Sequence, residues 1–135
     1  MITTNQEAHM QYLLLIYTDP AKAPAMGSPE SNAQMPKWNS FTEALRESGA
    51  FLAGDALHPV SAATTVRKDG VVTDGPFAET KEALGGYYAI DVPDLDAAIA
   101  WAAKMPSLDY GSVEIRPVFD FAAAAAAVPQ GAAAE

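Results

Sequence analysis

The chain has 135 residues, about one domain's worth: enough for a single two-layer core and too few for two independent ones. Its 8 basic residues stand against 17 acidic ones, and the formal charge of -9 repels nucleic acid and anionic lipid, leaving a small molecule or another protein as the expected partner. Cysteine is absent, so there is no disulfide framework, no thiolate nucleophile and no Cys-containing zinc site.

No uninterrupted apolar run approaches ~18 residues, and residues 1–9 lack the basic start and apolar core of a signal peptide, so a cytoplasmic protein is expected. Those residues read as a polar extension before a domain spanning 10–121, with an Ala-rich tail over 122–135 that is disordered or a frayed helix. Gln11 to Tyr17 is a short apolar and aromatic run stopped by Thr18-Asp19-Pro20, which predicts a buried central strand. From Pro20 to Pro36 there is no period, and the stretch reads as loop with at most one helical turn after Ser28-Pro29.

Trp38, Phe41, Leu45 and Ser48 recur at spacings of three and four, predicting a helix from Pro36 closed by Gly49, its aromatics packed on a sheet. Strands are expected over Phe51–Leu57 and Ser61–Arg67, and Asp69-Gly70 before Val71-Val72-Thr73 is a hairpin signal. Pro76 suits the first turn of a short helix through Glu79 and Lys81, with Asp74 capping it and Phe77 anchored in the core. Gly85-Gly86 opens the next strand, running to Val92, and marks a bulge or a close backbone approach. Asp94 caps a helix with Leu95, Ala98, Ile99 and Ala102 on its buried stripe, and Gly111–Val118 forms the closing strand.

With the hairpin as an insertion, the order reduces to an α+β, ferredoxin-like βαββαβ plan with both helices on one face of the sheet. Strand parity then sends Tyr12, Leu14 and Ile16 to one face, and Leu13, Leu15 and Tyr17 to the other, where Glu114 and Arg116 join them. A face so mixed is expected to pair with its copy in a homodimer and to enclose a polar-lined cleft.

The stretches Tyr12–Tyr17, Gly54–Pro59, Thr64–Arg67, Asp74–Glu82, Leu84–Tyr88 and Gly111–Val118 resemble the YCII-related family, in its DGPF-domain branch. That resemblance covers residues 11 to 118 and implies a dimeric α/β-barrel of ferredoxin-like subunits, with genes that often neighbour those of extracytoplasmic-function sigma factors. It also implies a His-Asp catalytic pair with the histidine on the first helix, and in one relative a dehydrochlorinase acting on an aromatic substrate. Here the first helix has no histidine, and Trp38 aligns with its place, while Glu47 is the nearest acid match.

The remaining chemistry-bearing groups are few. His58 is the sole histidine inside the domain and serves as a general base only if Pro59 turns it toward Asp55; it would also be the one proximal haem ligand, and neither cofactor nor metal is expected. Asp74 is the better base candidate, with a capping role as the simpler explanation. Arg67, Glu79, Lys81, Tyr87 and Arg116 are the candidate substrate-binding groups. Two functions follow: a small-molecule enzyme of the proton-transfer lyase or isomerase type, or a regulatory, metabolite-sensing module acting with a sigma-factor partner.

Overall fold

The computed structural model describes residues 9–127; the expected extension up to residue 8 and the end of the alanine tail, 128–135, lie outside the described residues. In chain order the elements are β1 (Met10–Thr18), α1 (Pro29–Ser48), β2 (Phe51–Ala56), β3 (Thr64–Arg67), β4 (Val71–Asp74), β5 (Ala83–Val92), α2 (Leu95–Ala102), β6 (Gly111–Pro117) and α3 (Phe121–Ala127). Four strands form one sheet in the order β2-β5-β1-β6, each neighbouring pair antiparallel, and β3 with β4 forms a separate hairpin. This is an α+β architecture compatible with the ferredoxin-like plan, the hairpin being inserted between β2 and β5.

β1 lies between β5 and β6, so both its edges are hydrogen-bonded and its alternation decides what becomes core. Tyr12, Leu14 and Ile16 are buried under the helices together with Phe41, Leu45, Ile90, Val92 and Ala98. Leu14, Leu45 and Ile90 are fully buried, each contributing about 1.5–3 kcal/mol over an exposed position. On the other face, the Glu114–Arg116 ion pair is exposed and screened by solvent, so the helix-side apolar layer dominates.

α1 is longer than the sequence period predicts. It begins at Pro29, behind Ser28, whose Oγ accepts the Ser31 N–H at 3.1 Å, and it runs through Pro36 on its exposed side. Its first two turns carry few apolar residues, which is why the 3.6-residue pattern starts only at Trp38. The C-terminus is as expected, with Gly49 at φ 85°.

Asp94 caps α2 through Oδ1, which accepts the Ala97 N–H at 2.9 Å, and Ala98 and Ala102 are buried. Leu95 and Ile99 are not on the buried stripe: they remain 49% and 47% exposed, because α2 seats only its alanine strip on the sheet. The run from Ser61 is also corrected. Val60–Ala62 is a 3-10 turn and β3 starts at Thr64.

The hairpin forms as expected, turning with Asp69 at φ 67° and Gly70 at φ 76°. Beyond it no helix follows Pro76, and Phe77 is 74% exposed rather than anchored in the core. What holds this stretch is Gly75, at φ 95°. Its N–H donates to the Ala63 carbonyl at 2.6 Å and its carbonyl accepts from Thr65 Oγ1 at 2.7 Å. The fixed feature is thus a left-handed glycine tied to β3, not a capped helix start.

At the start of β5 the ladder passes from Ile16 opposite Gly86 to Tyr17 opposite Leu84, leaving Gly85 bulged. A Cβ on Gly86 would lie 2.9 Å from the Asp55 carbonyl oxygen and 3.4 Å from Ala56 Cα, whereas one on Gly85 would meet nothing nearer than 3.8 Å. Gly86→Ala is therefore expected to destabilise the fold by about 1–3 kcal/mol, with Gly85→Ala near neutral. Denaturant unfolding of the two variants checks this contrast; equal losses would contradict the close approach.

Candidate functional site

The chain between β1 and α1 is bent by Asp19, whose side chain is buried. Asp19 Oδ1 accepts the Ala21 N–H, its carbonyl accepts those of Lys22 and Ala23, and its own N–H donates to the Tyr110 carbonyl, each at 2.9 Å. This local closure carries residues 20–28 over one end of the sheet and delivers the chain to Ser28, where α1 starts.

Beneath that arch is a cavity of about 450 Å³, within the size range of small-ligand sites. Ile16, Thr18, Gly54, Gly85 and Gly86 line it from the sheet. From α1 come Gln34, Met35, Trp38 and Thr42, from the arch Pro24 and Met26, and from the segment after α2 Ser107 and Tyr110. The lining is mainly apolar and includes no Lys, Arg, Glu or His; Asp55 is the acid that borders it.

Tyr88 fastens the cavity wall to the sheet. Its ring stacks on Trp38 at 6.3 Å and 17°, meets Phe41 and Phe51 edge-on at 5.3 and 6.2 Å, and its hydroxyl is 2.5 Å from Thr42 Oγ1. Gly54 makes room for that ring, since a Cβ there would lie 2.7 Å from Tyr88 Cδ1.

Two polar atoms of residues that border the cavity are buried without a hydrogen-bond partner among the described residues, Gln34 Oε1 and Ser107 Oγ, and both are shielded from the cavity itself. Ser107 as a whole is only 3% exposed. Native proteins leave few such groups, and each carries a desolvation penalty of about 1–3 kcal/mol. On the sheet face away from the helices, Tyr87 O–H donates to Asp55 Oδ2 at 2.9 Å, and that carboxylate holds the phenol above its ordinary pKa. Burial, aided by Asp109, raises the Tyr110 phenol as well.

Of the candidate catalytic and substrate-binding residues named from the sequence, Tyr87 alone lines this cavity. Asp74 is exposed on β4 and caps nothing; His58 is exposed after β2, and Asp55 engages Tyr87 instead of it. Glu79 and Lys81 are exposed between β4 and β5. Arg116 is taken up by Glu114, and Arg67 reaches the Phe77 carbonyl at 3.5 Å in an open groove under the hairpin that is separate from the cavity. Among the described residues no cluster of three or more His, Asp or Glu side chains could hold a metal. No described helix is long and apolar enough to cross a membrane.

Gln34, Trp38, Thr42 and Ser107 are the site residues that sequence reasoning missed or assigned to packing alone. A signal was present in Ser28-Pro29-Glu30, a cap, a first-turn proline and an acid, which marks a helix start at Pro29, nine residues before the periodic stripe that begins at Trp38. The YCII-related domain model matches residues 10–122. The chain belongs to the YCII-related family. It is also 35% identical over 114 residues to an uncharacterised protein of Rhizobium meliloti (strain 1021), a match covering 81% of this chain and 92% of that one.

Two outcomes are expected. Ser107→Ala removes an unsatisfied buried hydroxyl and should stabilise the ligand-free protein by about 1 kcal/mol in denaturant titration; a loss of similar size would mean that the hydroxyl has a partner. Tyr87 has its folded-state pKa raised, so its stabilisation is present below the ordinary tyrosine pKa and is lost as pH rises through the raised one. Asp55→Asn should bring the Tyr87 titration, followed by NMR of its ring, back toward the ordinary value.

Proposed function

We propose that this YCII-related chain binds a small molecule in the cavity between α1 and the sheet, and that it binds without catalysing proton transfer. The observation that carries this reading is a mainly apolar cavity of about 450 Å³, walled by Trp38 and Tyr88 and floored by Gly85 and Gly86, of a size and lining suited to a small ligand. A general acid or base works best with a pKa near the operating pH, yet Tyr87 and Tyr110 are both shifted upward, away from neutrality. The exposed Asp74 and His58 stand outside the cavity, which weighs against the lyase or isomerase reading.

The alternative, a metabolite-sensing module acting with a transcription (sigma factor) partner in the cytoplasm, uses the same cavity and differs in what the loaded state touches. Homodimer formation through the open sheet face belongs to this proposal too. Leu13, Leu15 and Ala89 lie there on the two central strands, between the Tyr87–Asp55 and Glu114–Arg116 pairs. Covering that stripe with a second copy removes apolar area from water and keeps the polar pairs at its margins.

Quinoline is a neutral bicyclic probe of suitable size for the site. Titrated in an NMR experiment, it should shift the amide resonances of Gln34, Trp38, Gly86 and Ser107; shifts confined to Thr64–Phe77 would place binding in the hairpin groove and overturn this assignment. For the dimer, sedimentation should give twice the monomer mass at micromolar concentration, falling to the monomer in Leu15→Glu. A monomeric parent protein sinks that part.

A further inference from the structure

We propose that the groove between α1 and α2 docks an acidic protein segment, one that sets an apolar side chain between flanking carboxylates. The groove lies on the helix side of the domain and shares no lining residue with the cavity. The rings of Phe41 and Trp101 meet in it edge-on, with centroids 6.0 Å apart, and Pro36 and Pro106 extend this apolar surface. Lys37 on α1 and Lys104, just past α2, complete the lining on either side. Pairing of two copies through the open sheet face leaves the groove uncovered, and docking here is independent of ligand binding in the cavity.

Charge identifies the partner's chemistry. The chain has 8 basic residues against 17 acidic ones, yet two of the 8 come together here and no acidic side chain lines the groove. Neither Lys37 nor Lys104 makes an ion pair among the described residues, whereas Arg116 is taken up by Glu114. Lys104 Nζ sits 4.7 Å from the centroid of the Trp101 ring, a cation–π contact that keeps an ammonium group beside the apolar surface. Salt screens charges beyond about 8 Å at physiological ionic strength, so acids outside the lining weaken this local positive field less than their number suggests. A carboxylate arriving beside the two lysines supplies the pairing that the lining lacks.

The shape of the groove selects a protein segment over other anions. It is open along its length, and a small molecule there would bury far less of its surface than an enclosed pocket buries. A chain laid between the helices can reach Lys37 and Lys104 together while one apolar side chain covers the exposed part of Trp101. Nucleic acid is held by a larger array of cations than two lysines on an acidic chain provide.

The test titrates the full chain with two blocked peptides: one carries a Leu-Phe pair flanked on both sides by glutamates, and the other has glutamine in place of every glutamate. Proton–nitrogen NMR has an internal control, because the indole of Trp101 belongs to the groove and that of Trp38 to the cavity. The glutamate peptide should move the Trp101 indole N–H resonance, leave that of Trp38 in place, and bind roughly threefold to tenfold more tightly than the glutamine peptide, the gap narrowing as salt is added. The double variant Lys37→Glu, Lys104→Glu, shown to be folded by circular dichroism, should weaken the glutamate peptide by about tenfold and leave the glutamine peptide unchanged. Equal affinity for the two peptides, or a double variant that binds the glutamate peptide as well as the parent does, overturns the acidic class. A shift at Trp38 without one at Trp101 overturns the placement. Absence of any binding by the glutamate peptide at millimolar concentration overturns docking at this groove and leaves the cavity reading standing.

Discussion

Tyr88 is the side chain on which the arrangement of helix, sheet and cavity depends. It comes from β5, a central strand, and it reaches α1 by stacking on Trp38, packing edge-on against Phe41 and meeting Thr42 through its hydroxyl. Aromatic pairs of this kind add about 0.5–1.5 kcal/mol each beyond the area they bury. A leucine at this position would keep much of the apolar contact but lose the hydroxyl contact and the flat stack, leaving the angle of α1 less well fixed. Room for the ring is made on the neighbouring strand by Gly54, so the hub is specified by two positions, one large and one empty.

The cavity is a consequence of how α1 is mounted. Phe41 and Leu45 seat the C-terminal half of the helix on the core, while Trp38 rests on Tyr88 rather than on the sheet backbone. The N-terminal turns are thereby held away from a strand end that the bulge at Gly85 and the bare Gly86 leave without side chains. Asp19 closes the same space from the chain's entry side by tying β1's exit to Tyr110. A helix propped at one end, a glycine floor and a pinned arch are sufficient to explain a void that close packing would otherwise eliminate.

The fold was largely legible because its signals are local or strictly periodic. The alternation through Tyr12, Leu14 and Ile16, the Asp94 cap, the Asp69-Gly70 turn and Gly49 each act within a few residues, and the strand order follows from the number and kind of elements. The site was not legible, because it is made by residues distant in sequence with no chemical signature. Gln34, Thr42 and Ser107 are ordinary polar residues in the chain, and only burial without partners distinguishes Gln34 and Ser107. Attention went instead to Asp74, Glu79 and Lys81 because charge and proline are dense there. That density reflects a stretch that is mostly in water, turned by Gly75 and bordered by an exposed Phe77. The reading of Phe77 as an anchor failed for a related reason: hydrophobicity predicts burial only where some other element comes close enough to bury it.

The hairpin's separation from the main sheet bears on folding order. Its ladder joins Thr64 to Asp74 and Arg67 to Val71, contacts of short sequence separation, and nearly every residue in it is exposed. Opening it exposes little further apolar surface, so its free energy of local unfolding belongs at the low end of the range, well below that of β1 and β5. The hairpin and the Asp74–Phe77 turn it leads into can therefore form and dissolve many times while the central sheet stays intact. The hairpin and its exit turn thus contribute little to keeping the domain folded, and amide exchange there runs on a different clock from the core.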